Sequence, residues 1–273
     1  MSVAAEPDIV VPVGDILPPR SVTGSRQMAR LAGYVSVVVV WQGLSTFLVN
    51  PAILPPPLKI AARMVEIARN ELLTHFSATL LKAVISLVIL YVLGAVVGIL
   101  MGVSPWAEAF FRNWVTLMMS LPGILIVLVV ILVFGLNTVG PIVAVVLVVF
   151  PFVTVNLWEG VKAVPHDLVE MARAFGASRR KILRHVVLPA LAPFMFTALT
   201  YAFALTWKIA MLTELFGSTS GMGYMFRLSF ALFSVTSLLA WAMWSFLLFM
   251  FLERVILQRQ IARFFRWRTG TYD

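Results

Sequence analysis

Runs of apolar residues as long as a bilayer is thick leave this chain few folds to choose from. Between residues 76 and 103 a single charge, Lys82, interrupts a run long enough to cross hydrocarbon with tilt. Comparable runs recur at about 31–49, 114–134, 141–158, 190–213 and 232–252. Only 12% of the 273 residues are charged, against about 25% in an ordinary soluble domain. The runs predict an all-α fold, a polytopic transmembrane bundle of about six helices. The net charge of +9 does not mark a nucleic-acid partner, because Lys and Arg collect in alternate loops. The absence of Cys excludes disulfides and Cys-ligated metal.

Taken in order, residues 1–27 carry Pro12, Gly14, Pro18, Pro19 and Gly24 and read as a mobile cytoplasmic tail. Arg20, Arg26 and Arg30 precede a run too long for a signal-peptide core, so residues 28–75 should hold an uncleaved first span and an outer segment. Pro51, Pro55, Pro56 and Pro57 demand a turn. An amphipathic helix should follow over 59–74, with Ala61, Met64, Val65, Ala68 and Leu72 as its apolar side. The core, 76–257, opens on the second span, where Lys82 is expected to snorkel from near the outer end. Gly94, Gly98 and Gly102 line one face there and should let another helix approach closely, within the bundle or between subunits. Pro122-Gly123 and Pro151 should interrupt the third and fourth spans. Residues 217–224, GSTSGMGY, read as a flexible outer loop, and 258–273 as a basic cytoplasmic tail. The basic residues Arg20, Arg26, Arg30 and Arg112, the loop after the fourth span, and Arg254, Arg259, Arg263, Arg266 and Arg268 place both termini in the cytoplasm. Lys59, Arg63, Arg69 and Arg227 fall outside.

The loop over 159–189 is the densest polar interval in the core, with Lys162, Arg173, Arg179, Arg180, Lys181 and Arg184. Its local chemistry predicts two short helices. Pro165 suits a first turn, and Asp167 and Glu170 face the positive end of a helix dipole. Leu168, Met171, Ala172 and Phe175 recur at helical spacing as one apolar stripe. Gly176 can close the helix in a left-handed conformation, and Ser178 can cap the next. Pro189 and Pro193 should start or kink the returning helix.

Glu170, Met171 and Ala172, then Gly176, then Val186, Leu188 and Pro189 resemble the E-A-A, G, I-x-L-P loop of bacterial ATP-binding-cassette importer permeases, spacing intact. Met171 stands for the second Ala and Val186 for Ile. The resemblance runs from about residue 54 to the last span and is most similar to the nitrate, sulfonate and taurine branch. It implies the type I importer permease fold in the bacterial inner membrane. It also implies a coupling surface at Glu170, Met171, Ala172, Gly176, Leu188 and Pro189 that docks on separate ATPase subunits. Those partners would bind the ATP and Mg, leaving no cofactor in this chain. A second permease copy, a periplasmic or lipid-anchored substrate-binding protein and membrane lipid complete the implied partners. Trp207, Glu214, Gly221 and Gly223 match a family pattern near the outer mouth, which implies a pathway, gate or structural role.

No catalytic set emerges from the residues themselves. His75, His166 and His185 show no metal-binding spacing, and the G-x-x-x-x-G-K-[ST] phosphate loop is missing. Lys208 and Glu214 are costly in hydrocarbon and should face water, protein or each other, although their separation excludes a shared helix face. Lys208 could lend positive potential to a path for an anion such as nitrate, a sulfonate or taurine, or snorkel or pair with another helix. An ATPase-independent secondary transporter or channel is the alternative, but internal repeats and several mid-membrane charges are not found.

Overall fold

The structure is a computed structural model that describes residues 23–258. The expectations for most of the N-terminal tail and for Arg259, Arg263, Arg266 and Arg268 lie outside the described residues. Every regular element among those described is helical. Five stretches are long and apolar enough to cross a membrane, or six if one bent pair counts as a single span.

Residues up to Pro57 form a unit of their own. Here α1 (Thr23–Gly43) runs into a π turn, Leu44–Leu48. The proline-rich strip then folds back: Ser45 Oγ donates to the Leu54 carbonyl (2.7 Å) and Trp41 Nε1 to the Pro55 carbonyl (3.2 Å). Only 6% of the apolar window over Met28–Leu48 is buried, so within its unit this helix has almost no packing partner.

The second unit begins at Leu58. Helix α2 (Pro57–Asn70) starts on Pro57, whose missing N–H is harmless in a first turn. It buries Ile60 and Ile67, not the side expected from sequence; Ala61, Val65 and Ala68 are exposed and Met64 is half-buried. The reason is its neighbour α11 (Val235–Leu252). Trp244 Nε1 of α11 donates to the Met64 carbonyl (3.0 Å), and Arg63 Nε donates to Ser237 Oγ (3.1 Å).

Three helices make the core: α3 (Leu72–Val103), α6 (Val139–Lys162) and α9 (Leu188–Gly217). Ala83 and Leu90 meet Val145, Val149, Val153 and Leu157, with Ala198, Ala202 and Ala210 from the third side. The expected glycine face is used inside the bundle. A Cβ on Gly94 would lie 2.8 Å from Val153 Cβ, one on Gly98 2.5 Å from the Thr154 carbonyl, and one on Gly102 would strike Val161. Van der Waals contact at backbone distance is what small residues supply where lipid removes any hydrophobic drive between helices. Pro151 does not interrupt α6, which passes through it as one helix. Packing on both sides lets the helix survive the lost hydrogen bond.

The expected third span is instead two helices, α4 (Pro105–Ser120) and α5 (Gly123–Phe134), bent by 94°. Pro122 removes an N–H and drives the preceding Leu121 out of the helical region, to φ −78°, ψ 133°. At about 1.5 Å per residue, α5 with its 12 residues is too short to cross hydrocarbon of about 30 Å alone.

Gly98→Val should force α3 off α6 and cost about 2–3 kcal/mol. In detergent, the thermal unfolding midpoint should fall by about 5–10 °C. Gly33→Ala, which meets nothing within 4 Å, should leave that midpoint unchanged.

Candidate functional site

Between α6 and α9 the chain builds an elbow from α7 (His166–Ala174) and the single turn α8 (Arg179–Ile182). Pro165 sits one residue before α7 and Asp167 lies in its first turn. Gly176 ends the helix at φ +74°, where a side chain would be strained. Its N–H donates to the Arg173 carbonyl (2.9 Å) and that of Ala177 to the Ala172 carbonyl (3.0 Å). This paired closure, with Ala172 and Ala177 both against the same small core, is a Schellman motif. Ser178 then caps α8 by accepting from the Lys181 N–H (3.4 Å).

The expected single stripe on α7 is split. Val169 and Ala172 pack toward Val161, Val164, Ile182, Val187 and Leu191. Leu168 (42%), Met171 (54%) and Phe175 (85%) stay exposed, beside exposed Asp167 and Glu170. The inward face is short and mostly small, so the elbow's own core has no room for the larger side chains. Lys162, counted in sequence among the basic residues of this loop, turns to α4 instead. It pairs with Glu108 (2.7 Å) and lies over the Trp158 ring (4.5 Å).

The return to the bundle has no break. A π turn over Leu183–Val187 joins α8 to α9, and the Leu188 N–H reaches the Leu183 carbonyl. One extra residue in that turn accommodates Pro189, which has no N–H and would crowd the preceding turn. Leu188 and Pro189 are exposed at the elbow's exit, and Pro193 lies inside α9 without ending it.

At the far end of α9 the structure overturns two expectations. Lys82 does not snorkel: it is 3% exposed, and its Nζ lies 2.8 Å from Oε1 of Glu214, itself fully buried. Residues 217–224 are not a loose loop either. α10 (Met222–Ala231) starts inside that stretch and sits on the Glu214 carboxylate. Oε2 of Glu214 accepts from Thr79 Oγ1 (2.8 Å) and the Gly223 N–H (3.0 Å). Lys82 Nζ also donates to Ser218 Oγ (2.8 Å) and the Ser220 carbonyl (2.6 Å), which uses all three of its protons. A Cβ on Gly221, at φ +117°, would collide with the carboxylate, and one on Gly223 with the Met211 carbonyl. Two ions out of water cost several kcal/mol each, so this pair survives because its polar atoms are matched.

Lys208 and Glu214 are not brought together: Lys208 is exposed. Trp207 is buried against Phe76 and Phe249, at centroid distances of 6.4 and 6.3 Å. Sequence reasoning missed Thr79 and the true role of Lys82. The signal was there: His75, Thr79, Lys82 and Ser86 recur at helical spacing on one face of an otherwise apolar helix. No cluster of three His, Asp or Glu suited to a metal occurs among the described residues.

A bundle of several membrane-length helices with an exposed amphipathic elbow is the architecture of a polytopic membrane protein. Over 67% of this chain and 92% of the other, the fold matches a chain of the MetNI methionine ABC transporter in inward-facing conformations, with TM-score 0.54 and 22% identity. This is the type I importer permease fold. Residues 91–268, more than half of the chain, match the family of binding-protein-dependent transport system inner membrane components, and the chain belongs to that family. Its relatives include the taurine transport system permease protein TauC of Escherichia coli (strain K12), 29% identical over 74% of this chain and 76% of TauC. The putative ABC transporter permease protein MJ0413 of Methanocaldococcus jannaschii is 30% identical over 71% of this chain and 75% of that one. The putative aliphatic sulfonates transport permease protein SsuC of Bacillus subtilis (strain 168) is 28% identical over 69% of each. The chain is a transport permease and not an enzyme.

Lys82→Met alone should cost about 3–5 kcal/mol by stranding the Glu214 charge. Lys82→Met/Glu214→Gln should recover most of that loss. Thermal unfolding of the purified variants checks the order; equal losses in both would contradict it.

Proposed function

We propose that this chain forms the translocation pathway of an importer for a small anion of the sulfonate or taurine class, and that its elbow transmits the stroke of separate ATPase subunits. The observation that carries the coupling role is the exposed face of α7. Leu168, Met171 and Phe175 form an apolar strip flanked by Asp167 and Glu170, held rigidly by the Gly176 closure. An apolar anchor with a charged rim is what a protein groove accepts. The match of Glu170, Ala172, Gly176, Leu188 and Pro189 to the importer loop supports the same role.

In this scheme ATP and Mg stay with the partner ATPases, which grip the elbows of two copies of this chain. A substrate-binding protein delivers solute from the opposite side. Both termini lie in the cytoplasm of a bacterial inner membrane, with lipid around the bundle. The solute class rests on relatives named for taurine and for aliphatic sulfonates. Another relative is named for formylaminopyrimidine transport, a different class of solute.

Lys208 supports the anionic class. It is exposed on α9 and forms no ion pair among the described residues. A lysine facing hydrocarbon at mid-helix costs about 2.5–3.5 kcal/mol, which favours a water-lined position near the path.

Gly176→Pro cannot reach a positive φ and loses the donor to Arg173. Membrane insertion should persist, while taurine taken up per ATP hydrolysed should fall about tenfold or more in proteoliposomes with the ATPase and binding protein. Normal coupled uptake would count against the assignment. Lys208→Met should slow taurine uptake about tenfold without changing ATP hydrolysis by the assembled complex; equal uptake would remove the role of this lysine.

A further inference from the structure

The Glu214 carboxylate is where three elements meet, and the coupling role of the elbow does not use it. One oxygen faces Lys82 of α3, the other faces Thr79 of α3 and the Gly223 N–H of α10, and the carboxylate itself hangs from the last turn of α9. The first N–H groups of a helix have no partner within it and must find one elsewhere. In α10 they are spent on its neighbours. Met222 N–H donates to Thr79 Oγ1 (2.8 Å), and Gly223 N–H to Glu214 Oε2. Just before the helix, Gly221 N–H donates to His75 Nδ1 (3.3 Å). No side chain of α10's own caps it.

We infer that this clasp stays closed through the whole transport cycle, so that α3, α9 and α10 travel as one body and α10 is not a gate. The inference rests on the permease role proposed above. Lifting α10 would take the Gly223 N–H from the Glu214 carboxylate, orphan the Met222 N–H and, through the short connection, pull the Ser220 carbonyl off the Lys82 ammonium. These losses fall in a fully buried site, where each is most costly. The packing around the clasp is close. Gly221 and Gly223 already press on Glu214 and Met211 with no room for a Cβ. The connection between α9 and α10 is only Ser218 to Gly221, and it is folded on itself by Ser218 Oγ donating to the Ser220 carbonyl (2.8 Å). Arg227 of α10 adds a second tie, its Nη2 donating to the Ser218 carbonyl (2.9 Å). Access must therefore alternate by motion of the whole block against something outside it.

Amide hydrogen exchange on the full complex reads this directly, with MgATP as the only added ligand. Peptides covering Met222 and Gly223 should exchange at the same rate, within about twofold, in the nucleotide-free complex and during steady ATP hydrolysis. Thr79→Val, which removes one acceptor and keeps the shape, should speed the Met222 amide about tenfold, proving that it reports the clasp. Faster exchange at Met222 and Gly223 during hydrolysis would overturn the inference, as would an unchanged rate in Thr79→Val. The α7 amides, compared between the complex and the permease freed of the ATPase, test the separate premise. Protection of 166–174 by the ATPase upholds the coupling role, and its absence would sink that role while leaving the clasp to be judged by Met222 and Gly223.

Discussion

A lysine and a glutamate buried together decide how one end of this bundle is built. Neither ion is tolerable in hydrocarbon alone, and each is tolerable beside the other only if every remaining polar atom finds a partner. That requirement reaches outward from Glu214. It explains Thr79 on α3, the serines that fold the connection, and the glycines that let α10 sit on the carboxylate. Close packing extends the same logic along α3, where Gly94, Gly98 and Gly102 bring its backbone against α6. The result is a block in which small residues set the distances and one ion pair sets the orientation.

The opposite end of α9 is governed by the reverse condition. There the chain leaves apolar surface uncovered on purpose-built local structure. Gly176 turns the chain sharply, Ala172 and Val169 anchor the inner face, and Leu168, Met171 and Phe175 are left over. α8, the π turn and α9 are continuous from Arg179 to Gly217, so under the proposed coupling role a push on the elbow would be carried by one helix to the ion pair. Rigid helices with packed neighbours carry displacement; loose loops would absorb it.

Much of this was legible in the sequence. Run lengths gave the helical membrane class, and Gly176 and Ser178 showed the local chemistry of their turn. The glycine spacing pointed to close packing, although only the structure shows that α6 is the partner. What escaped was tertiary. Lys82 read as a snorkelling residue because its partner lies 132 positions away. The face of α2 was misassigned because α11, not the local pattern, decides which side is covered. The stripe on α7 was seen as one face, yet only its small members fit against Ile182 and Val187. Pro122 and Pro151 carry the same local signal but different outcomes. The first lets the chain bend by 94°, and the second is held straight by helices on either side.

The claim on which the account turns is that the elbow meets a driving partner on the cytosolic face. The chain has no Cys, so a single Phe175→Cys can be labelled without background. A membrane-impermeant thiol reagent should fail to reach it in intact cells, should reach it in inverted vesicles stripped of the ATPase, and should be blocked when the ATPase is restored. Labelling of Cys at 175 from outside intact cells would contradict the account at its root.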